Sequence, residues 1–520
     1  MKKIAPFFVA LALMACGKTP EPTPTPDPTP SAPKAITLSK STINAEAEGG
    51  SFEVTVTSPF VPQVDKPSWV TVTNGTFKDY SLTMTVVVAA NTAYESRTAT
   101  LTFKATGATS ASLTVTQAAA EEPEPPTPGE EGLASFFGLG WNMGNHFDAY
   151  YNGSWAGEKE GYPDETCWQG EKATQATFDG VKSLGFTSVR IPISWLKMIG
   201  PAPDYQIDET WMNRVYEVVQ FAHNAGLKVI INTHHDENHG VNNTYQWLDI
   251  KNASNNAELN TQIKEKIKGV WTNIANKFKD CGDDWLMMEG FNELNDGGWG
   301  WSEDFRNNPT KQTKILDEWN QVFVDAVRAT GGYNATRWLG VPSYCANPGF
   351  SKYMVLPTDP AKKIAVSVHC YDPSEYTIGD AQYSDWGHTG AEGKKVAGDN
   401  EKAIRDVFGD LYTRYISQGI PVYLGEFGCS MRSKSDSRAW AFYKYYMEYV
   451  VKAAKTYSLP CFLWDNGATG SGKEQHGYVN HGTGKPIGNS KEILDILKNA
   501  WDNESENYTL DSVYNKAPKF

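Results

Sequence analysis

The chain has 520 residues, of which 40% are hydrophobic, and this length allows one large domain with a smaller one beside it. Its formal net charge of -14 argues against nucleic acid or an anionic membrane surface as a partner, because both require clustered Lys and Arg. Aromatic residues make up 12% of the chain, and their faces pack well against sugar rings, so the composition agrees better with a neutral ligand.

An export signal is predicted at residues 1–16. Lys2 and Lys3 precede the apolar run IAPFFVALALMA, which is too short to cross a bilayer as a helix, and Cys16 follows directly. The sequence LMAC resembles the lipobox of bacterial lipoproteins, which implies that Cys16 is lipidated and becomes the mature N-terminus. The alternative is an ordinary secretory signal with an incidental cysteine. Both interpretations predict a protein outside the cytoplasm.

The remaining cysteines are scattered through the chain without CxxC spacing, so they predict no zinc module. Disulfide bonds between them are possible outside the cytoplasm, and their pairing is left open. These cysteines are Cys167, Cys281, Cys345, Cys370, Cys429 and Cys461.

Two proline-rich tracts, 17–34 and 119–131, are predicted to be extended linkers. Between them, residues 35–118 contain short β-branched segments parted by Gly, Asn and Ser, which predict an all-β sandwich. The pieces PSWVTVT, NTAYESRTATLTF and LTVTQAA resemble the BACON family of Ig-like modules. The one tryptophan of residues 35–118, Trp69, lies beside a predicted strand, where packing in the core is favoured. We therefore expect a spacer module, with glycan binding as the alternative.

From residue 132 to 520, apolar runs alternate with amphipathic stretches at 211–225, 257–278, 313–329, 401–418 and 438–455. Eight such β-runs with intervening helices predict a (β/α)8 barrel, an α/β fold in which the C-terminal ends of all strands meet at one face. The runs are FGLGWNMG, TSVRIPIS, KVIINTHH, LMMEGFNE, RWLGVPSY, IAVSVHCY, PVYLGEFG and CFLWDNG.

Polar or aromatic residues follow the apolar part of seven of these runs. One such residue could simply cap a loop, but together they indicate a shared cleft. They are Asn142, Asn145, Arg190, His234, His235, Asn292, Glu293, His369, Tyr371, Glu426 and Trp464.

Two of these strand-end residues are carboxylates, Glu293 and Glu426, and such a pair is what glycoside hydrolysis requires. One protonates the leaving oxygen, and the other attacks the sugar or activates water; a separation of about 5 Å gives retention and about 6.5 to 9.5 Å gives inversion. Arg190 could hold one Glu ionised, and Tyr371 could donate a hydrogen bond to it.

The motifs GWNMGN, SVRIPISW, INTHHD, GFNEL, VSVHCYDP, YLGEFG and FLWDNG, in this order, resemble glycoside hydrolase family 5, most of all its fourth subfamily. The resemblance implies a retaining endo-β-1,4-glucanase without metal or other cofactor, with Glu293 as acid/base and Glu426 as nucleophile. It implies that Asn292 holds the sugar 2-hydroxyl and that Trp464 lies under the same sugar. Arg190, His234, His369 and Tyr371 would position the carboxylates, while His235 and Asn145 would contact substrate.

The expected partner is a plant cell-wall polysaccharide: xyloglucan, mixed-linkage β-glucan or a cellulose-type chain. We expect a monomer on the outer membrane, exposed at the cell surface and attached only through its lipid. The alternatives are a glycan-binding lipoprotein without catalysis, or a mannanase or xylanase on the same barrel. Such a binding protein would not need Glu293 and Glu426 with their ordered helpers.

Two further features of the barrel sequence have competing interpretations. The run HHDENH, 234–239, could bind a metal ion, but the paired His and Asp that such a site needs do not occur at other strand ends. Loop tryptophans could be sugar platforms or could pack the barrel, and Trp299 and Trp301 are favoured as platforms because glycines flank them. The others are Trp168, Trp195, Trp247 and Trp386.

Overall fold

The computed structural model describes residues 31–91, 95–119, 132–153, 159–240, 243–379, 382–398, 400–470 and 472–520. These residues belong to two compact units, a β-sandwich and a barrel. The predicted signal with Cys16 and nearly all of both linkers lie outside the described residues. Within the described residues, no helix has the length and apolar character needed to cross a membrane.

The sandwich consists of two four-stranded sheets, ordered β1-β3-β6-β5 and β2-β8-β7-β4. Alternate residues point inward, as a half-buried strand requires, so Val54, Met84, Leu101 and Val115 meet in one apolar core. Trp69 packs against this core, as the sequence predicted. The Arg97 guanidinium lies 4.5 Å from the centre of its ring. The strands are β1 (Thr37–Leu38), β2 (Thr42–Ala45), β3 (Gly50–Thr57), β4 (Gln63–Asp65), β5 (Val70–Asn74), β6 (Ser81–Val88), β7 (Arg97–Lys104) and β8 (Ala111–Gln117).

Eight parallel strands close the barrel in chain order, with β16 pairing β9. Nearly every residue in these strands is buried, because both faces are covered, and the predicted (β/α)8 fold is confirmed. The strands are β9 (Leu139–Asn142), β10 (Ser188–Ile191), β11 (Lys228–Ile231), β12 (Leu286–Glu289), β13 (Leu339–Pro342), β14 (Ile364–Cys370), β15 (Val422–Phe427) and β16 (Cys461–Leu463).

The helices agree with the amphipathic stretches apart from their ends. Helix α3 begins two residues before the predicted start, because the Asp208 carboxylate accepts a hydrogen bond from the Trp211 backbone N–H. Helix α9 ends before the predicted residue 418, since 416–418 form a separate 3-10 turn. The helices are α1 (Gly132–Phe137), α2 (Gln175–Ser183), α3 (Glu209–Asn224), α4 (Ile250–Ala253), α5 (Ala257–Phe278), α6 (Glu303–Asn307), α7 (Pro309–Ala329), α8 (Ser374–Thr377), α9 (Asn400–Arg414), α10 (Ser437–Thr456), α11 (Ser490–Asp502) and α12 (Leu510–Tyr514).

The barrel interior is layered along its axis. An apolar cluster of inward residues, packed with Leu133 and Phe137 of α1, fills one level of the interior. Side chains alternate along a strand, so the next inward residue lies two positions further on and forms the next layer. Three residues of that second layer are polar, Asn232, Glu289 and Ser367, and the cleft lies beyond them. The strand residues of the apolar cluster are Ile230, Met287, Ala365, Tyr423 and Phe462.

Candidate active site

A cleft of about 970 Å³ lies at the strand ends of the barrel. Its lining combines polar and apolar surface, as ligand sites usually do. Most of the predicted site residues line it, while Arg190 and Asn142 lie fully buried just beneath. The predicted residues that line the cleft are Asn145, His234, His235, Asn292, Glu293, Trp301, His369, Tyr371, Glu426 and Trp464.

The two predicted carboxylates face each other with a histidine between them. Oxygen atoms of Glu293 and Glu426 lie within 4.8 Å of each other and of His369. His369 Nδ1 is 2.6 Å from Glu293 Oε1 and 3.6 Å from Glu426 Oε2. One imidazole therefore contacts both carboxylates and fixes their relative orientation.

Glu426 is held from two further sides. The Arg190 guanidinium donates from Nη1 to Glu426 Oε1 at 3.0 Å, and Tyr371 donates its hydroxyl to Oε2 at 2.9 Å. Arg190 also donates from Nη2 to Asn292 Oδ1 at 2.8 Å and from Nη1 to Asn142 Oδ1 at 3.0 Å. These charge-assisted bonds leave little rotational freedom to the Glu426 carboxylate.

A register shift in the sheet places Glu426 beside His369. Strand β15 pairs with β14 at Leu424 and Val368, and the next pair is Glu426 with His369, so Gly425 is an extra residue. A Cβ at Gly425 would lie 3.1 Å from both His369 Nε2 and Ser367 Oγ. Glycine thus permits the close approach that brings the carboxylate to the imidazole.

Burial and neighbouring charges shift the ionisation of this cluster. The pKa of Glu426 is raised above 4.5, because burial and repulsion from Glu293 outweigh the stabilising effects of His369, Arg190 and Tyr371. Burial opposes the charge on His369, yet its pKa is raised above 6.5 because Glu426 and Glu293 lie beside it. Burial and both carboxylates hold the pKa of Tyr371 well above 10.0, so Tyr371 stays a hydrogen-bond donor.

Two histidines of the run HHDENH, His234 and His235, lie beside Asp148. His235 Nε2 lies 3.4 Å and His234 Nε2 3.9 Å from Asp148 Oδ2, so the three could hold a metal ion by distance alone. Burial lowers the pKa of His235, but Asp148 reverses this and raises it to about 9, which favours an imidazolium. His234 Nδ1 faces the amide nitrogen of Asn232 at 3.4 Å, which puts its proton on Nε2, the nitrogen facing Asp148. A metal ligand needs a free lone pair there, so the donor set suits sugar hydroxyls better.

The loop tryptophans divide between cleft and interior. Trp168, Trp299 and Trp301 line the cleft, and Trp301 is 78% exposed. Trp195 and Trp386 are fully buried in the barrel core, and Trp247 donates its indole N–H to Asp236 at 2.7 Å. Trp464 lies parallel to His234, with ring centroids 5.8 Å apart. Asn145 adopts a φ of 55° where it lines the cleft.

The cysteines are free thiols wherever the structure describes them. Cys345 lines the cleft and Cys167 is half-buried, while Cys281, Cys370, Cys429 and Cys461 are buried. The possible disulfides are therefore not formed among these six residues.

Residues 152–470 match the family model for cellulases of glycosyl hydrolase family 5, which covers more than half of the chain. The chain belongs to this family. Residues 60–118 match the BACON family model. The protein is a glycoside hydrolase of the endoglucanase type, as the sequence motifs predicted.

This family 5 enzyme resembles characterised relatives over its catalytic part. It is 34% identical to Endoglucanase A of Paenibacillus barcinonensis, over 67% of this chain and 84% of the relative. A solved GH5-4 broad-specificity endoglucanase from Bacteroides salanitronis is 44% identical, with a TM-score of 0.67 over 74% of this chain and 98% of that one. A Bacteroides ovatus GH5 xyloglucanase in complex with a XXXG heptasaccharide is 26% identical, with a TM-score of 0.61 over 90% and 100% of the two chains.

The pattern of strand-end residues does not predict one buried carboxylate of the family 5 enzyme. Glu289 lies within the apolar run of β12 and is fully buried beneath the cleft. The signal was present in the spacing: Glu289 follows Met287 by two residues, as Ser367 follows Ala365 and Asn232 follows Ile230. These polar residues therefore form the second inward layer described above.

Proposed function

We propose that this enzyme is a retaining endo-β-1,4-glucanase that cleaves plant cell-wall β-glucans by double displacement. The separation of its carboxylates carries the proposal: oxygens of Glu293 and Glu426 lie within 4.8 Å of each other. Retention requires carboxyl groups about 5 to 5.5 Å apart, whereas inversion needs room for a water between them.

In the first step, Glu426 attacks the anomeric carbon while Glu293 gives its proton to the departing glycosidic oxygen. The bond from the carbon to that oxygen breaks, and a covalent ester between the sugar and Glu426 forms. The hydrogen bonds from Arg190 and Tyr371 favour the ionised form of the attacking carboxylate against the effect of burial, and they orient it. Asn292, itself held by Arg190, offers its amide to the 2-hydroxyl of the same sugar.

In the second step, Glu293 acts as a base and removes a proton from water, which attacks the anomeric carbon and releases Glu426. The proton returns to Glu293, so the enzyme is restored and the sugar keeps its β configuration. His369 remains within hydrogen-bond distance of Glu293 and helps to orient it in both roles.

The substrate class is proposed from the cleft and from the relatives. Exposed aromatic rings at Trp299 and Trp301 offer faces to several sugars of a long chain, which suits cleavage within the polymer. The relatives carry the descriptions endoglucanase and xyloglucanase, which favours β-glucans over mannan or xylan.

Release of reducing ends by the protein that begins at residue 35 tests this proposal. The panel contains xyloglucan, mixed-linkage β-glucan, carboxymethyl cellulose, glucomannan and xylan, with Glu426→Gln as the inactive control. We expect oligosaccharides from at least one β-glucan with the wild type and none with the variant. Binding of these polymers without any cleavage would instead support the glycan-binding alternative.

For the region outside the described residues, we propose a lipid anchor at Cys16 that holds the enzyme at the outer membrane, facing the cell exterior. The support is the LMAC sequence after a short apolar run, followed by a proline-rich tract that suits a stalk. We propose that the sandwich acts as a spacer and that the enzyme is a monomer. Cys16→Ser should shift the enzyme from the membrane fraction to the soluble fraction.

A further inference from the structure

Glu289 accepts four hydrogen bonds inside the barrel. Its Oε2 accepts from Arg190 Nε at 2.7 Å and from Asn232 Nδ2 at 2.9 Å. Its Oε1 accepts from Ser367 Oγ at 2.6 Å and from the Tyr423 hydroxyl at 2.7 Å. The carboxylate is fully buried and saturated, so it cannot also contact substrate or water.

Through Arg190, Glu289 is connected by hydrogen bonds to the nucleophile Glu426. Arg190 uses Nε for Glu289, which leaves Nη1 to hold Glu426 and Nη2 to hold Asn292. A guanidinium is planar, so fixing Nε also fixes the direction of the other two nitrogens. Glu289 therefore sets the orientation of the guanidinium plane of Arg190, and with it the contacts to Glu426 and Asn292.

Through Asn232, Glu289 is connected by a second chain of contacts to His234. The Asn232 side chain cannot turn over, because its oxygen accepts from the Ile193 backbone N–H at 3.1 Å while its nitrogen donates to Glu289. That nitrogen also faces His234 Nδ1 at 3.4 Å, which selects the Nε2–H form of the imidazole. Glu289 thereby fixes the amide that determines which nitrogen of His234 carries the proton.

We propose that Glu289 is a positioning residue for the reaction: one buried carboxylate orients Arg190 toward Glu426 and Asn292, and orients Asn232 toward His234. The proposal rests on the proposed function, since it concerns the nucleophile assigned there. A positioning role for Glu289 differs from a purely structural one because it affects the ionisation of Glu426. Arg190 is shared between two carboxylates, so Glu289 limits how strongly Arg190 stabilises ionised Glu426.

The variant Glu289→Gln separates this charge effect from packing. Glutamine keeps the size, and its oxygen can still accept from Arg190 and Asn232, while the Ser367 and Tyr423 hydroxyls can turn to accept from its amide. Without the second carboxylate, Arg190 acts on Glu426 alone and favours its ionised form. We expect the acid limb of the kcat/KM profile to move about 0.5 to 1 pH unit lower. We expect kcat to fall about threefold, because a less basic carboxylate is a weaker nucleophile and the rate follows its basicity with a fractional Brønsted slope.

Glu401→Gln is the matched control. Glu401 is also fully buried in the barrel unit, where it accepts from the Tyr445 hydroxyl at 2.9 Å, but it lies on α9 and does not line the cleft. We expect it to lower the thermal midpoint at least as much as Glu289→Gln while leaving the pH profile unchanged. A third variant, Glu289→Leu, removes the acceptor of Arg190 Nε and leaves Asn232 Nδ2 with His234 Nδ1 alone, so it should reduce kcat about 100-fold if it folds.

The outcomes separate this inference from the proposed function. If Glu289→Gln folds and shows the wild-type kcat and acid limb, as Glu401→Gln should, Glu289 is only a core residue and the inference is wrong. If Glu426→Gln, assayed in parallel, retains activity, the proposed function fails instead. A shifted acid limb in Glu289→Gln together with an inactive Glu426→Gln supports both.

Discussion

The sandwich and the barrel bury different kinds of residue. Among the described residues of the sandwich, the buried polar side chains are Ser58, Asn91 and Gln117, and none of them is charged. The barrel buries Arg190, Glu289 and many other ionisable groups. Burying a charge is costly unless it is paired, and an apolar core is sufficient for folding. The buried ionisable groups therefore indicate that catalysis takes place in the barrel and that the sandwich core serves folding alone. The following predictions test this difference.

The largest effect is expected at the two carboxylates of the barrel. Glu426→Gln and Glu293→Gln should each reduce kcat on polysaccharide by at least about 10³-fold, since one removes the nucleophile and the other the acid. An aryl cellobioside with a good leaving group should restore the first step in Glu293→Gln only, because such a group departs without a proton. Burst kinetics on that substrate measure this difference.

Both glutamine variants should keep the wild-type unfolding temperature within a few degrees and still bind cello-oligosaccharides. Near-normal turnover by either variant would show that its carboxylate has been given the wrong role. Equal rescue of both by the aryl substrate would contradict the division into acid and nucleophile.

A smaller effect is expected at Tyr371, whose hydroxyl contacts Glu426. Tyr371→Phe should lower kcat about 10- to 100-fold, the value of a hydrogen bond to a charged group. Its hydroxyl also lowers the pKa of Glu426, so its removal should move the acid limb of the kcat/KM profile to higher pH, opposite to Glu289→Gln. Tyr376→Phe, which removes another buried hydroxyl, should leave the profile in place. An unmoved limb in Tyr371→Phe would contradict the contact.

A still smaller effect is expected at the exposed end of the cleft. Trp301→Ala should raise KM for polysaccharide up to about tenfold through lost stacking and change the free energy of unfolding by less than about 0.5 kcal/mol. Tyr333→Ala removes an aromatic ring that is 49% exposed and does not line the cleft, so its KM should equal that of the wild type. Equal KM values for both variants would remove Trp301 from the substrate site.

A core substitution in the sandwich should have the opposite effect to the barrel variants: it should lower stability and leave kcat unchanged. Leu101→Ala deletes a fully buried side chain from its core and should destabilise that unit by about 2 to 5 kcal/mol. The kcat on short oligosaccharides should not change, since every residue of the proposed site lies in the barrel. Calorimetry together with an activity assay tests this prediction, and a parallel loss of kcat would mean that catalysis depends on the sandwich.

The sequence predicted the cleft well because strand ends are recognisable. The residues His234, Glu293, His369 and Glu426 each follow an apolar run, and the closure of a parallel barrel brings such ends together. Their roles in catalysis stay predictions until the variants are measured.

Other features could not be predicted because they depend on register. Gly425 looks like an ordinary strand residue until the pairing shows that it is extra, and the partners of Glu289 come from four different strands or strand ends. The predicted helix ends differ from the structure where a cap or a 3-10 turn determines them, as at Asp208 and at 416–418.

The most direct test of the account is the configuration of the first product. Proton NMR of cello-oligosaccharide hydrolysis, followed from the first turnovers, distinguishes the new anomeric signals before they equilibrate. Double displacement at Glu426 predicts that the β anomer forms first and that α appears only by mutarotation. Initial formation of the α anomer would mean a single displacement by water and would contradict the role of Glu426 as nucleophile.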